Sequence, residues 1–274
     1  MKQAMIFAAG LGTRLKPLTD HMPKALVKVD GKPLLERVIK RLGDAGFDHL
    51  VVNVHHFSGQ IIDYLRSHDN FGLNIRVSDE TDALLDTGGG IKKAQQLFDS
   101  HYPILIHNVD ILSNLDLSRF YSLDEKVQCP DCGVPHLMAD ARLLVSWRKT
   151  KRYLVFNDQM RLVGWVNLST GEVKTPYPEV REALQQEQYP MTPGDTPLVI
   201  AGHLHLFAFS GIHTFYPRFF KQMVGYPAKF SITDFYLEQC GKVPVIGYNK
   251  PDLKLMDVGK LDTLNEAERF LRQL

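Results

Sequence analysis

The opening stretch constrains this chain more than any other. Ala4-Met5-Ile6-Phe7-Ala8-Ala9 is a short apolar run that breaks at Gly10-Leu11-Gly12 and continues at once into Thr13, Arg14, Leu15 and Lys16, with Met22-Pro23-Lys24-Ala25-Leu26 close behind. Such a run predicts a buried strand that delivers a glycine loop at its carboxyl end. Glycines there let backbone N–H groups approach phosphate oxygens with no Cβ in the way, and Arg14 and Lys24 add fixed positive charge. Other glycine loops fit less well. A dinucleotide fingerprint wants a small residue where Leu15 stands, and a P-loop needs a Gly-Lys-Ser/Thr that is missing. A plain turn would leave Arg14 and Lys24 unexplained, so a polyphosphate cradle is the expectation.

Composition narrows the setting. With 274 residues, 44% hydrophobic and 23% charged, the chain has room for one large globular domain, or a domain with a lobe. Its net charge is +1 and its basic residues are dispersed, which argues against a nucleic-acid binder. The N-terminal apolar run stops too soon for a signal peptide, and no run approaches the roughly 20 residues needed to span a bilayer. A cytoplasmic protein with no membrane partner is expected; oligomeric state is left open. Three cysteines, Cys129, Cys132 and Cys240, do not suit a disulfide framework. Cys129-Pro130-Asp131-Cys132 resembles half a zinc knuckle, with His136 as a candidate third ligand, but no second pair completes four ligands. Two free thiols in a loop are the expectation.

Along the first half, strand and helix signals alternate as in a Rossmann-like, doubly wound α/β domain: a mixed, mainly parallel sheet with helices on both faces. A helix is predicted over 32–45, with Leu34, Leu35, Val38, Ile39 and Leu42 on one stripe and Gly46 closing it. Strands are predicted at 49–54, 73–77 and 103–107, and a helix capped by Ser58 runs through Ile61 and Leu65 toward Gly72. Between the last two strands, Asp86-Thr87-Gly88-Gly89-Gly90 reads as a second glycine loop that offers unpaired N–H donors before a helix reaching about Phe98. Asn108-Val109-Asp110 follows the fourth strand. Asp110 therefore sits where open α/β sheets bind ligands, although an Asp there also serves as a plain turn residue. As a strand-end carboxylate it is expected to be exposed and to contribute little stability.

Beyond Leu123 the texture changes to a small antiparallel lobe, with strands at 141–147, 153–156 and 162–166 and turns at Asn157-Asp158 and Thr170-Gly171. Residues 172–197 hold five prolines and read as loop or short helix. Then come a strand over 198–209, helices over 215–222 and 232–239, a strand over 243–248, a strand ending in Asp257-Val258-Gly259, and an amphipathic helix through Leu264, Ala267, Phe270 and Leu271. No hexapeptide array follows residue 259, so a left-handed β-helix acyltransferase domain is not expected.

Together these residues resemble the signature of the sugar-1-phosphate nucleotidyltransferases. The likeness rests on residues 8–19, on Pro23-Lys24-Ala25-Leu26 and Gly31-Lys32-Pro33-Leu34, and then, in the family's order, on Thr87-Gly88-Gly89-Gly90-Ile91, Asn108-Val109-Asp110, Ser210-Gly211-Ile212 and Asp257-Val258-Gly259. It implies a GT-A-like nucleotidyltransferase fold in one domain, with residues 1–122 as the nucleotide-binding half and 123–274 as the sugar-phosphate half. It also implies a reaction: an oxygen of a sugar 1-phosphate attacks the α-phosphorus of a nucleoside triphosphate in line and expels pyrophosphate. On that resemblance Arg14, Lys24 and Asp110 are catalytic, and Asp110 and Asp257 share Mg²⁺. Ala8, Ala9, Gly10, Gly12, Thr13, Asp86, Thr87, Gly88 and Gly89 hold the nucleotide, and Asn108, Ser210 and Gly211 face the sugar.

Motif texture is nearest to the N-acetylmuramate-1-phosphate uridylyltransferases, with UTP as substrate, and next to the mannose- and heptose-1-phosphate guanylyltransferases, with GTP. Asp86 stands where the muramate enzymes carry Glu, and Val163-Gly164-Trp165-Val166-Asn167 replaces the family's Glu-Lys-Pro segment. A catalytically inactive, nucleotide-sugar-sensing regulatory subunit is the non-enzyme alternative. The presence of Arg14, Lys24, Asp110 and Asp257 speaks against it.

Overall fold

The computed structural model describes residues 1–124, 127–128, 135–136, 139–193 and 198–274. Cys129 and Cys132, and with them the side chain of His136, lie outside the described residues. The chain forms two compact units, one of residues 1–123, 214–231 and 253–274, the other of residues 124–213 and 232–252. Among the described residues no helix is long and apolar enough to cross a membrane.

In the first unit Gln3–Phe7 is the central strand. It pairs in parallel with His49–Val54 on one side and with Ile104–Asn108 on the other, and His49–Val54 pairs in parallel with Asn74–Asp79. His49–Val54 is buried at every position, as are the first four residues of Gln3–Phe7 and of Ile104–Asn108. A strand buried on both faces reads as a continuous apolar run, which is why these segments show little alternation. From its central strand the chain winds outward through 49–54 and 74–79, then returns to the opposite side. The order reverses between Gln3–Phe7 and Ile104–Asn108, and a crevice opens at the carboxyl ends of the strands at such a point.

The helix predicted over 32–45 spans Leu34–Asp44, with Leu34, Leu35, Val38, Ile39 and Leu42 buried. Lys32–Pro33 instead pairs as a short strand with Lys28–Val29. A helix occupies Ser58–Ser67, but Phe57 is at its N-cap and no side chain caps it, so Ser58 is the first helical residue and not the cap. The chain's final segment closes this unit: Leu255–Asp257 pairs antiparallel with Ile111–Ser113, and the helix Asp262–Leu271 follows.

The second unit packs Tyr153, Val155, Val163, Val166, Leu184 and Leu206 into its own core. Its strands Arg152–Phe156 and Leu162–Asn167 are antiparallel, as predicted. Two expectations are corrected. Ala141–Ser146 pairs in parallel with Val245–Asn249, a partner about a hundred residues away that two-residue alternation cannot identify. The strand predicted over 198–209 is two antiparallel strands, Leu198–Ile200 and Leu204–Phe215, because Ala201 and Gly202 take positive φ and turn the chain. Phe215 ends that strand, and in the first unit the helix predicted over 215–222 is a 3-10 helix over Pro217–Met223.

Candidate active site

A cavity of about 450 Å³ lies in the first unit, at the strand ends where the sheet order reverses. Its walls include Ala8, Ala9 and Gly10 from the first loop, Asp86 and Thr87 from the second, Asn108 and Asp110 from the third, and Lys24. Eight residues separated by as many as a hundred positions are thus gathered as the motif reading expects.

Lys24 Nζ pairs with the Asp110 carboxylate, and the two side chains are only 11% and 15% exposed. Asp110 is therefore half-buried and paired, not the exposed strand-end carboxylate expected from sequence. The reason is topological. Val258 N donates to Asp110 O at 2.8 Å, so the 255–257 strand covers it from one side while Lys24 covers it from the other. Asp257 lies opposite Ile111 in that pairing, which brings the two aspartates to neighbouring strand positions. Arg14 reaches the same place: a Cβ at Gly259 would stand 2.7 Å from Arg14 Nη2 and 2.6 Å from Asp257 Oδ1. A side chain at 259 would have to displace one of these two groups.

Asp110 and Asp257 supply the hard oxygen donors that magnesium prefers. Among the described residues no group of three or more His, Cys, Asp or Glu is placed to hold a metal. This donor set suits magnesium, which commonly takes one or two carboxylates and completes its shell with water and substrate phosphates.

The second glycine loop differs from expectation. The helix starts at Asp86, at φ 61°, so all three glycines are helical and buried. Gly88 N and Gly89 N donate to Phe230 O at 2.9 and 3.3 Å, and these N–H groups are not free for a phosphate. Gly88 and Gly89 do not line the cavity; nor do Gly12, Thr13, Arg14 or Asp257. Gly12 sits at φ 65°, its carbonyl accepting from Leu15 N and Thr19 Oγ1 at 2.8 and 2.9 Å. Ser210 and Gly211 lie in the Leu204–Phe215 strand, where Ser210 is buried and its hydroxyl meets that of Ser146 at 3.1 Å.

Three cavity residues escape sequence reasoning: Asn53, Glu80 and Lys229. Asn53 Oδ1 accepts from Ala8 N and Ala9 N at 2.8 and 3.3 Å, which fixes the curvature of the first loop. Its Nδ2 donates to Glu80 Oε1 at 2.8 Å, and Glu80 Oε2 accepts from Leu85 N at 3.2 Å. Burial raises the Glu80 carboxyl above its usual range, opposed by those two hydrogen bonds. A lone Asn inside the apolar run His49–Val54 is the one sequence signal that could have drawn notice. Asn53→Ala strands two backbone donors and one carboxylate together, and is expected to lower the urea unfolding free energy by about 2–4 kcal/mol. A change under about 0.5 kcal/mol would show that this network does not hold the loop.

Residues 3–128 match the family model described as nucleotidyl transferase. An N-acetylmuramate alpha-1-phosphate uridylyltransferase of Caulobacter vibrioides is 46% identical over 111 residues, 40% of this chain and 46% of that protein. One of the same name from Neisseria meningitidis serogroup B is 42% identical over 119 residues, 43% of this chain and 51% of that protein. The chain spans about half the length of these curated relatives. A UDP-glucose pyrophosphorylase solved with UDP-glucose shares the fold, with TM-score 0.66 at 18% identity over 100% of this chain and 99% of that one. Over residues 3–128, just under half of its length, this chain is thus similar to the nucleotidyl transferase family.

Proposed function

We propose that this protein is a sugar-1-phosphate nucleotidyltransferase, joining a nucleoside triphosphate to a sugar 1-phosphate with release of pyrophosphate, and that its pair is UTP with N-acetylmuramate 1-phosphate. The observation that carries the reaction is the Lys24–Asp110 pair in the cavity wall, between the first glycine loop and the reversal of sheet order, within a segment of this family. The sugar phosphate is already an anion, so its oxygen needs no general base. What the site must do is bring two polyanions together and balance charge on the transferring phosphoryl group.

The chain's own groups suit that task. Asn53 holds the start of the first loop through Ala8 N and Ala9 N, and so sets Gly10 in the cavity wall. Lys24 exchanges Asp110 for a phosphate oxygen, and Arg14 adds charge beside Asp257. Magnesium held by Asp110 and Asp257 would neutralise phosphate oxygens and align them. Asp86 and Thr87 bound the end of the cavity toward ribose and base.

A pyrophosphate-release assay crossing UTP, GTP, CTP and dTTP with a panel of sugar 1-phosphates, with and without Mg²⁺, tests this. Release is expected with UTP and N-acetylmuramate 1-phosphate, and only with the metal. Release confined to GTP with mannose or heptose 1-phosphate would replace the substrate assignment. Absence of release with every pair would overturn the reaction.

A further inference from the structure

The buried glycines at 88–89 call for an explanation, since glycine costs stability inside a helix. They accept a strap. Residues 226–230 cross the first turn of the Asp86–Ala94 helix so closely that a Cβ at Gly88 would stand 2.3 Å from the Phe230 ring, and one at Gly89 would stand 2.0 Å from Ala228 O. The strap is fastened by Phe230 O, which takes both glycine N–H groups, by Phe230 N donating to Leu85 O at 3.3 Å, and by Lys92 Nζ donating to Tyr226 O at 2.6 Å. Between these fastenings stands Lys229, an exposed residue that nevertheless lines the cavity.

The partners of the charged groups around the cavity single this lysine out. Lys24 is spent on Asp110. Asp86 Oδ1 accepts from Thr87 N at 2.6 Å, and Glu80 is held by Asn53 and Leu85 N. Among the described residues Lys229 has no ion pair or hydrogen bond, so it is a lysine of the cavity wall that no protein group engages. Its backbone is anchored on both sides while its side chain stays uncommitted. That arrangement suits a group whose partner arrives with the substrate.

We propose that Lys229 is a substrate-binding residue that contacts a phosphate of the bound substrate, and that the close approach of the strap to Gly88 and Gly89 exists to place it there. The assignment rests on the nucleotidyl-transfer reading only for which phosphate is met; the anion site itself does not depend on it. Because Lys229 is exposed and makes no protein contact of its own, Lys229→Met should fold as the parent does.

The test has two arms. In titration calorimetry with inorganic pyrophosphate and Mg²⁺, Lys229→Met is expected to bind at least tenfold more weakly than the parent, and Lys229→Arg within threefold of it. In steady-state kinetics with the preferred pair, Lys229→Met should raise KM at least tenfold for one substrate with kcat within threefold, since an ion contact present in both ground and transition states acts on binding alone. The substrate whose KM rises identifies the phosphate. Unchanged pyrophosphate affinity together with unchanged KM values overturns the proposal. A parent protein that releases no pyrophosphate from any pair, yet loses pyrophosphate affinity in Lys229→Met, overturns the reaction and leaves the anion site standing.

Discussion

Asp110→Asn is expected to cut pyrophosphate release from the preferred pair at least a hundredfold, comparable to removing a principal charge-stabilising group from a transition state. Asn keeps the shape of the side chain and one oxygen, but it loses the charge that pairs with Lys24 and that would hold magnesium with Asp257. Stability will fall as well. The substitution leaves a largely buried ammonium without its counter-charge, at a cost of about 1–3 kcal/mol, less than for a fully enclosed pair because the amide oxygen still accepts from Lys24. Urea unfolding separates the two effects. The double variant Lys24→Met with Asp110→Asn removes both charges, so it should recover most of the lost stability and none of the activity. Activity of Asp110→Asn within tenfold of the parent would show that this carboxylate is structural.

Acid should destabilise this protein well before its ordinary carboxylates titrate. His107 and His213 are fully buried, and burial pushes each imidazole from its usual value down to about 3; at His107 the nearby Arg41 lowers it further. Their unfolded counterparts protonate near 6.5. Folded-state values below the unfolded ones mean that the unfolded chain binds more protons between those limits. The neutral rings' contribution is therefore complete above about pH 6.5 and is lost progressively as pH falls toward 3. At pH 5 each histidine should cost about 2 kcal/mol relative to pH 7.

His213 isolates the effect, because neither ring nitrogen has a hydrogen-bond partner and the ring packs edge-on to Tyr236 at 5.7 Å. His213→Leu should stabilise the protein by about 1 kcal/mol at pH 7, since it removes buried polar atoms with nothing to bond. It should also remove about half of the histidine share of the loss between pH 7 and pH 5. Parallel pH profiles for the variant and the parent would contradict this account. His107 is a poorer choice for that test. A carbonyl can only accept, so its Nδ1–H donates to Asn108 O at 2.7 Å, and replacing the ring would orphan that oxygen just before Asp110.

Several parts of the site were legible because they are local. The glycine break after Phe7, the lysine in Met22-Pro23-Lys24 and the Asp two residues beyond a strand all speak through backbone chemistry within a few positions. The second loop misled for the opposite reason. Three glycines look like a phosphate cradle when read in isolation, yet Gly88 and Gly89 are required by Ala228 and Phe230, some 140 residues later in the chain. Asn53 and Glu80 stayed hidden because one polar residue in a strand gives no sign of which backbone it will bond.

By itself the sequence determined that a central apolar strand would end in a glycine loop, with a cation and a carboxylate available near it. Hydrophobic periodicity, glycine geometry and the placement of charge are properties of short stretches, and they survive without knowledge of the fold. Only the tertiary structure decided that Asp110 would be half-buried against Lys24, that Asp257 and Arg14 would meet over Gly259, and that Lys229 would reach the cavity on a strap. Each of those facts is a contact between distant segments. Distant contacts are set by strand order and close packing, to which no local pattern is sensitive.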